Sequence, residues 1–187
     1  MTYPVSTERT FLDGVVLLRR ERHRDHRGSL DRIFDVDVVQ SLVPDFSVAQ
    51  VNHTVTLRRG TVRGLHFQVQ PYSDVRVVTC QRGRVFDVVV DIRRGSSTFL
   101  EWYGMELDCN DSVSLLLNRG FAHGFQALAD DCEMLYVHGE RYHQEAEGGL
   151  HVADPILNIS WPEPVATMSS RDQTHPMLDR NWLGIDV

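Results

Sequence analysis

The sequence is dominated by short runs of β-branched and aromatic residues separated by turn signals, and it shows almost no helical periodicity. The runs lie at residues 14–18, 46–56, 75–80, 84–92, 99–107, 113–117 and 134–137. Turn signals such as Arg82-Gly83 and the segment 94–97 (Arg-Gly-Ser-Ser) lie between them. Many short strands at this spacing predict an all-β fold, an antiparallel sandwich or barrel of the jelly-roll type with a few short helices. A doubly wound α/β sheet would need helices that this sequence lacks.

One short helix is predicted near residue 40. Apolar residues at positions 38, 39, 42 and 43 give it a buried face. Asp35 or Asp37 can cap its first turn, and it must end before Pro44.

Composition limits the classes of function. The 187 residues, 42% hydrophobic and 24% charged, predict a single globular domain over residues 1–187. The net charge of −7 argues against general nucleic-acid binding. All 19 cationic residues are arginines. The lack of lysine excludes Schiff-base catalysis, pyridoxal phosphate attachment and a P-loop lysine.

Targeting signals and cysteine spacing bear on location. No apolar run approaches the roughly 20 residues of a membrane-spanning helix. Residues 1–9 lack a basic stretch followed by an apolar block, so we expect a cytoplasmic protein that binds no membrane. Cys80, Cys109 and Cys132 show no C-x-x-C spacing. They are expected to be small apolar side chains rather than disulfide partners or zinc ligands.

The run 84–92 separates two kinds of side chain by parity. One parity carries Phe86, Val88, Val90 and Ile92, and the other carries Val85, Asp87, Val89 and Asp91. A polar parity inside a barrel marks a site, whereas the same parity on an outer sheet faces solvent. Both interpretations stay open for Asp87 and Asp91.

Two blocks around histidines favour a shared pocket. The block 63–68 (Arg-Gly-Leu-His-Phe-Gln) places His66 on the same face as Arg63 only if the strand bulges at Gly64. The block 120–125 (Gly-Phe-Ala-His-Gly-Phe) sets His123 between glycines and aromatic residues. A single histidine in apolar surroundings is more often a hydrogen-bonded core residue than a functional one. The two blocks together support a pocket more strongly than either alone.

A metal site is the obvious alternative. Many jelly-roll enzymes bind a transition metal through an H-x-H pair, a downstream glutamate and a distant histidine. The second histidine of such a pair is missing after His66, and no glutamate follows until Glu101. His53, His66 and His123 could still converge as a three-histidine site. The sequence evidence for nucleophilic catalysis is weaker than that for a metal site, because no serine or cysteine lies in a nucleophile-elbow motif.

Acid–base chemistry by histidine, tyrosine and aspartate in an arginine-bordered pocket is the interpretation that remains. Tyr136 and Tyr142 lie six positions apart and share one face if their strand stays regular. A position at the rim of a barrel is nevertheless the commoner fate of a tyrosine.

These residues together resemble the dTDP-4-dehydrorhamnose 3,5-epimerase family, cupin-fold enzymes of nucleotide-sugar biosynthesis. The resemblance runs almost from end to end of the chain. The matching blocks are 25–28 (Asp-His-Arg-Gly), 50–53 (Gln-Val-Asn-His), 63–68, 85–93 with 95–99, 120–125, 136–142, 154–162 and 169–172 (Ser-Ser-Arg-Asp). The resemblance implies a cupin-type jelly roll and a metal-independent isomerase.

The substrate that the resemblance implies is a thymidine-diphosphate 4-keto-6-deoxyhexose, whose C4 ketone acidifies the hydrogens on C3 and C5. His66 corresponds to the general base of the family, Asp172 to the carboxylate that orients it, and Tyr136 to the general acid. A proton removed on one face and another returned on the opposite face inverts a carbon. No redox cofactor is implied.

The resemblance also implies a set of substrate contacts. Arg27 and Arg63 correspond to residues that grip the diphosphate, and Tyr142 to the ring that stacks on thymine. Arg76 stands where a lysine usually faces the enolate oxygen. The other implied contacts are Gln50, Asn52, His123 and Glu147.

Several positions depart from the family pattern. Arg32 replaces a common glutamate, Asn118-Arg119 replaces the usual Pro-Glu, and Phe67 stands where tyrosine is frequent. The first two changes add positive charge. A homodimer is expected from the resemblance, because the family exchanges amino-terminal strands between protomers.

Three other functions stay open at this point. The first is a single-carbon epimerase, acting at C3 or C5 of a related nucleotide deoxysugar. The second is a metal-dependent cupin such as a dioxygenase or a phosphosugar isomerase. The third is a non-catalytic module that binds sugar nucleotides.

Overall fold

The computed structural model describes residues 4–187 and consists mainly of short strands. The strands are β1 (Val5–Arg9), β2 (Val15–Arg20), β3 (His23–Asp25), β4 (Gly28–Leu30), β5 (Gln50–Thr56), β6 (Val62–Gln68), β7 (Arg76–Arg82), β8 (Arg84–Asp91), β9 (Trp102–Asp108), β10 (Val113–Leu117), β11 (Phe121–Ala127), β12 (Cys132–His138) and β13 (Glu147–Gly149). The helices are α1 (Val36–Leu42) and α2 (Ser170–Gln173), with a 3₁₀ turn at Gln144–Ala146.

Two antiparallel sheets face each other. The larger sheet has the strand order β1-β2-β10-β7-β12-β5, and the smaller has the order β13-β6-β11-β8-β9. Strands distant in sequence are neighbours in both sheets, which is the topology of a jelly roll. The predicted all-β, cupin-type jelly roll with short helices is confirmed. A separate hairpin, β3-β4, lies outside both sheets.

Three apolar clusters stabilise this arrangement. The first lies between the sheets and contains Val78 of the larger sheet and Phe125 of the smaller one. The second packs the carboxyl-terminal segment, including Leu157, against the outer face of the smaller sheet. The third packs α1, through Val39, against the outer face of the larger sheet. Much of each outer face is therefore covered. The first cluster fills only part of the space between the sheets, which leaves the rest of the inner faces to build a site.

Helix α1 forms where the sequence predicts it. The Asp35 carboxylate accepts hydrogen bonds from the backbone N–H groups of Asp37 and Val38, which caps the first turn. The helix ends at Leu42, with Val43 as its carboxyl-terminal cap, just before Pro44.

Strand β8 is buried on both faces. Asp87 and Asp91 have 0% of their surface exposed, so the solvent-facing alternative is wrong for both. Asp87 points between the sheets, where it bonds to His123. Asp91 bonds to Arg93 and organises the turn that follows the strand, so it takes no part in the cavity.

Strand β6 bulges at Gly64, as the spacing of Arg63 and His66 predicts. His66 lies opposite His123 of β11 and Arg63 lies opposite Phe125, so β6 carries one extra residue between these pairs. Gly64 has φ +119, and a Cβ atom there would lie 2.6 Å from the Cα of Gly124. Only glycine fits at this position without moving the neighbouring backbone.

The structure also bears on cysteines and location. The three cysteines are free, with Cys80 and Cys132 buried, as expected for small apolar side chains. Within residues 4–187, none of the helices is both long and apolar enough to span a membrane. The absence of a leader was predicted from residues 1–9, of which residues 1–3 lie outside the described part.

Candidate active site

A cavity of about 550 Å³ lies between the two sheets. Strands β6 and β11 of the smaller sheet form one wall, and strands β5, β7 and β12 of the larger sheet form the other. Ten of the eleven residues that the resemblance assigns to the site line this cavity, namely Gln50, Asn52, Arg63, His66, Arg76, His123, Tyr136, Tyr142, Glu147 and Asp172. Residues from distant parts of the sequence are thus brought together in one place.

His66 and Asp172 form a hydrogen-bonded pair on the wall of the smaller sheet. His66 Nε2 lies 2.8 Å from Asp172 Oδ1, and the Asp172 side chain is 3% exposed. Asp172 is held in place because α2 is capped by Ser169, whose hydroxyl accepts the Asp172 backbone N–H at 3.0 Å. A carboxylate acceptor keeps the proton of a neutral imidazole on Nε2, which leaves Nδ1 as the basic nitrogen.

Burial tends to raise the pKa of Asp172, but the hydrogen bond and charge of His66 outweigh it. With help from the Gly64 backbone N–H and the Ser169 side chain, they lower the pKa to about 2. Asp172 is therefore ionised throughout the neutral range and stabilises a positive charge on His66.

The low pKa of Asp172 gives the first prediction, which concerns stability. A carboxyl group whose pKa is lower in the folded state stabilises the fold above its unfolded pKa, near 3.9, and loses that contribution as the pH falls toward 2. Between pH 6 and pH 3 we expect the wild type to lose about 1 kcal/mol more unfolding free energy than Asp172→Asn. Urea unfolding at each pH measures this difference. Equal losses in both proteins would contradict it, and the exposed Asp111→Asn serves as the control.

Tyr136 enters the cavity from β12 of the larger sheet, on the wall opposite His66. Its ring packs edge-on against His123, with ring centroids 6.1 Å apart. Burial and the negative charge of Asp87 raise the pKa of Tyr136 far above its ordinary value, and the cations Arg76 and Arg63 only partly oppose this. The phenol is therefore protonated at neutral pH, as a general acid must be.

Two further histidines of the cavity are paired with aspartates. His123 Nε2 lies 2.9 Å from Asp87 Oδ2, and both side chains are buried. His138 Nδ1 lies 2.6 Å from Asp74 Oδ2. Asp74 also faces Arg76, whose Nε lies 3.3 Å from the same oxygen. Arg76 is thereby held on the cavity wall beside Tyr136.

A polar chain lies at the mouth of the cavity. The Tyr142 hydroxyl donates to Glu147 at 2.9 Å, and Arg171 Nη1 donates to the same carboxylate at 2.9 Å. Strand β12 ends at His138, so Tyr142 belongs to the following loop and the assumption of a regular strand was wrong. The loop nevertheless brings Tyr142 to the cavity, and its backbone N–H bonds to Gln50.

Three arginines singled out in the sequence lie away from the cavity of their own chain. Arg27 lies at the turn of the β3-β4 hairpin, with its side chain 79% exposed and paired with Asp25. Arg32 pairs with Asp35 and Arg119 with Asp45. The departures at Arg32 and Arg119 therefore lie outside the cavity lining.

The proposed convergence of His53, His66 and His123 on a metal is wrong. His53 lies outside the cavity lining and bonds to Glu133 at 3.1 Å. Within the described residues, the group of three or more possible metal ligands whose donor atoms lie within 4.8 Å of one another is His66, Asp172 and His175. Arg171 Nη2 lies 3.3 Å from His66 Nε2. Its fixed positive charge opposes the binding of a second cation there.

The structure adds cavity residues that the sequence analysis did not select, namely Asp74, His138, Glu140 and Arg171. His138 could have been found, because it lies two positions after Tyr136 and side chains at i and i+2 share a face of a strand. Asp74, Glu140 and Arg171 lie outside the strands, where no periodic pattern indicates direction.

Comparison with known proteins identifies the family. A family model described as dTDP-4-dehydrorhamnose 3,5-epimerase matches residues 9–180. The chain belongs to this epimerase family. It is therefore an enzyme of the isomerase class, as the resemblance implied.

Individual members of the dTDP-4-dehydrorhamnose 3,5-epimerase family agree with this match. The 3,5-epimerase of Sinorhizobium fredii is 36% identical over 165 residues, covering 88% of this chain and 85% of the relative. A dTDP-4-dehydrorhamnose 3-epimerase of Streptomyces niveus is 38% identical, covering 87% and 78%. The crystal structure of the Bacillus anthracis 3,5-epimerase, with TDP and pyrophosphate bound, superimposes with a TM-score of 0.89 at 31% identity, covering 94% and 100%.

Proposed function

We propose that the protein inverts C3 and C5 of a dTDP-linked 4-keto-6-deoxyhexose, with His66 as general base and Tyr136 as general acid. The observation that carries this proposal is that the two side chains enter one cavity from facing sheets. A sugar ring between the sheets would present one face to the imidazole and the other to the phenol. Inversion requires this opposition, because the proton must leave on one side of the carbon and return on the other.

The cavity also supplies groups for the enolate and for the charge on the base. His66 Nδ1 takes the proton α to the ketone, and the imidazolium that forms is stabilised by Asp172. Negative charge then develops on the C4 oxygen. Arg76, held by Asp74 on the opposite wall, is the cation placed to stabilise it. Tyr136 completes inversion by giving its hydroxyl proton to the carbon.

The nucleotide is assigned to the mouth of the cavity. Tyr142 is 53% exposed and offers an aromatic face to a thymine ring. Arg63 is fixed by Thr56 and by the Val55 carbonyl, so it presents a positive charge to the diphosphate. We also propose a homodimer. Arg27 lies away from the cavity of its own chain, so it can contact a diphosphate only in the cavity of another copy.

The alternative is inversion at C3 alone. It is favoured by the similarity to the Streptomyces niveus enzyme, which is named a 3-epimerase. The two activities differ in whether the enzyme carries out the second proton exchange before product leaves. The same His66 and Tyr136 would serve both reactions.

Deuterium labelling tests the proposal. Incubation with dTDP-4-keto-6-deoxyglucose in deuterated water is expected to place label at C3 and at C5, which NMR resolves as loss of two proton signals. Label at one carbon would establish the single-carbon alternative, and no label would refute epimerisation of this substrate. Elemental analysis of the purified protein and an activity assay with a chelator test the metal-dependent alternative. Loss of activity on metal removal would support that alternative.

A further inference from the structure

Tyr136 must regain a proton after each time it protonates the substrate, and the proposed function does not name the group that supplies it. Each proton that Tyr136 gives to carbon leaves a phenolate on the cavity wall, where the side chain is only partly exposed and where desolvation and Asp87 raise its pKa. The phenol must be restored before another carbon is protonated. His66 cannot do this directly, because it holds its proton on the opposite wall. A proton donor near Tyr136, with access to solvent, is therefore needed.

His138 lies where such a donor is required. It follows Tyr136 by two positions on β12, so both side chains lie on the cavity face of the strand. The two rings are nearly parallel, with an interplanar angle of 15° and centroids 5.9 Å apart. The His138 side chain is 14% exposed, so it is less enclosed than Asp74, at 3%.

Asp74 prepares this histidine to carry a proton. Its carboxylate lies 2.6 Å from His138 Nδ1 and also accepts the Glu140 backbone N–H at 3.1 Å. A buried carboxylate at Nδ1 keeps that nitrogen protonated and stabilises the imidazolium, so Nε2 is the nitrogen that gains and loses a proton. Nε2 lies 3.4 Å from Asn52 Nδ2. The Asn52 amide can pair with Nε2 in either protonation state by presenting its nitrogen or its oxygen.

The surroundings of the ring define what can influence this proton. On β7 and the segment before it, His138 faces Arg76 and Asp74. On its own strand it faces Tyr136, and Glu140 lies in the following turn. Strand β5 contributes the neutral side chains Gln50 and Asn52. Asp74 is the charged group that contacts the ring directly.

We propose that His138, oriented by Asp74, returns the proton to Tyr136 after each protonation of substrate. The His138 Nε2–H bond breaks and the Tyr136 Oη–H bond forms, with one water in the cavity carrying the proton between them. The imidazole then takes a proton from solvent. The transfer is downhill, because an imidazolium, with an ordinary pKa of about 6.5, is a stronger acid than a phenol, at about 10. This role rests on the proposed function of Tyr136.

His138→Gln tests this role with little change in shape. A glutamine amide can still donate to Asp74, so Asp74 keeps its contact with Arg76, but it cannot relay a proton. In rapid-quench experiments in deuterated water, we expect the first protonation to proceed at the wild-type rate, because Tyr136 starts protonated. Later turnovers are expected to slow by about 10- to 100-fold, with KM within about twofold, since a positioned acid or base contributes about 10²-fold or more. Added imidazole is expected to restore part of the lost rate.

His53→Gln is the matched control. It removes a histidine that is also paired with a carboxylate and belongs to the same sheet, but lies outside the cavity lining. Its later turnovers are expected to keep the wild-type rate. If His138→Gln does not fold, Asp74→Asn replaces it. Loss of the carboxylate charge destabilises the imidazolium that must donate the proton, so the alkaline limb of kcat is expected to move to lower pH.

The outcomes separate this inference from the proposed function. Wild-type protein that labels its substrate, with a His138→Gln variant that turns over repeatedly at the wild-type rate, would overturn the role of His138 and leave the epimerase intact. An equal loss in the first and later turnovers would also overturn it, since that result indicates distorted geometry. Wild-type protein that labels no carbon would overturn both.

Discussion

His66→Asn is expected to lower kcat for epimerisation by about 10³-fold, with a small change in KM. Asparagine is close in shape to part of the imidazole but cannot accept a proton at neutral pH, and a positioned general base contributes about 10²- to 10⁴-fold. Steady-state rates, measured by NMR of the sugar protons, give the value. His53→Asn is the control, because His53 lies outside the cavity lining and bonds to Glu133.

The pairing of His66 with Asp172 makes this prediction sharper. The two side chains are joined at 2.8 Å and are expected to act as one unit. The double variant His66→Asn/Asp172→Asn should therefore be little slower than His66→Asn alone, because effects within a unit are not additive. Retention of more than about a tenth of wild-type activity in His66→Asn would remove this residue from the mechanism.

Tyr136→Phe is expected to separate proton removal from inversion. The variant retains His66, which can still take a proton from the substrate and return one on the same face. Formation of inverted product should fall by about 10²-fold or more, while exchange of the substrate hydrogens with deuterated water continues. NMR distinguishes the two results, since exchange removes a proton signal without changing the ring couplings that report configuration.

A tyrosine outside the cavity is the control for this substitution. Tyr103 is part-buried on β9, and its hydroxyl contacts Met105 Sδ at 3.7 Å. Tyr103→Phe should leave both exchange and inversion at wild-type rates. Inverted product from Tyr136→Phe at the wild-type rate would assign the proton donor to another group.

The fold could be predicted because its signals are local. The parity of 84–92, the turn residues and the cap at Asp35 each depend on neighbours in the sequence, and all three appear in the structure. The boundaries were less well determined. The run 46–56 begins as a strand only at Gln50, and 99–107 only at Trp102. The loops before both strands carry apolar residues, Phe46 and Phe99, that pack against other parts of the fold, so their hydrophobicity does not mark the start of a strand.

The site could be predicted only in part. The resemblance selected residues that do line one cavity, but it says nothing of side chains outside the shared motifs. Asp74 is such a residue, and His138, although inside the block 136–142, was given no role by the resemblance. Their pairing joins a strand to a segment 64 positions away in the sequence. Such a contact depends on which strands are neighbours, and β7 beside β12 is a property of the whole topology.

The extra residue in β6 reverses which face of the strand every following side chain occupies. Along a regular strand, positions 63 and 66 would point to opposite sides, so one of them would be lost to the packed layer beneath the carboxyl-terminal segment. The number of backbone units between them, rather than the chemistry of either side chain, decides that both enter the same chamber. Deleting one residue at the bulge would turn apolar side chains of β6 toward the cavity in place of ionisable ones, although the amino-acid composition would hardly change.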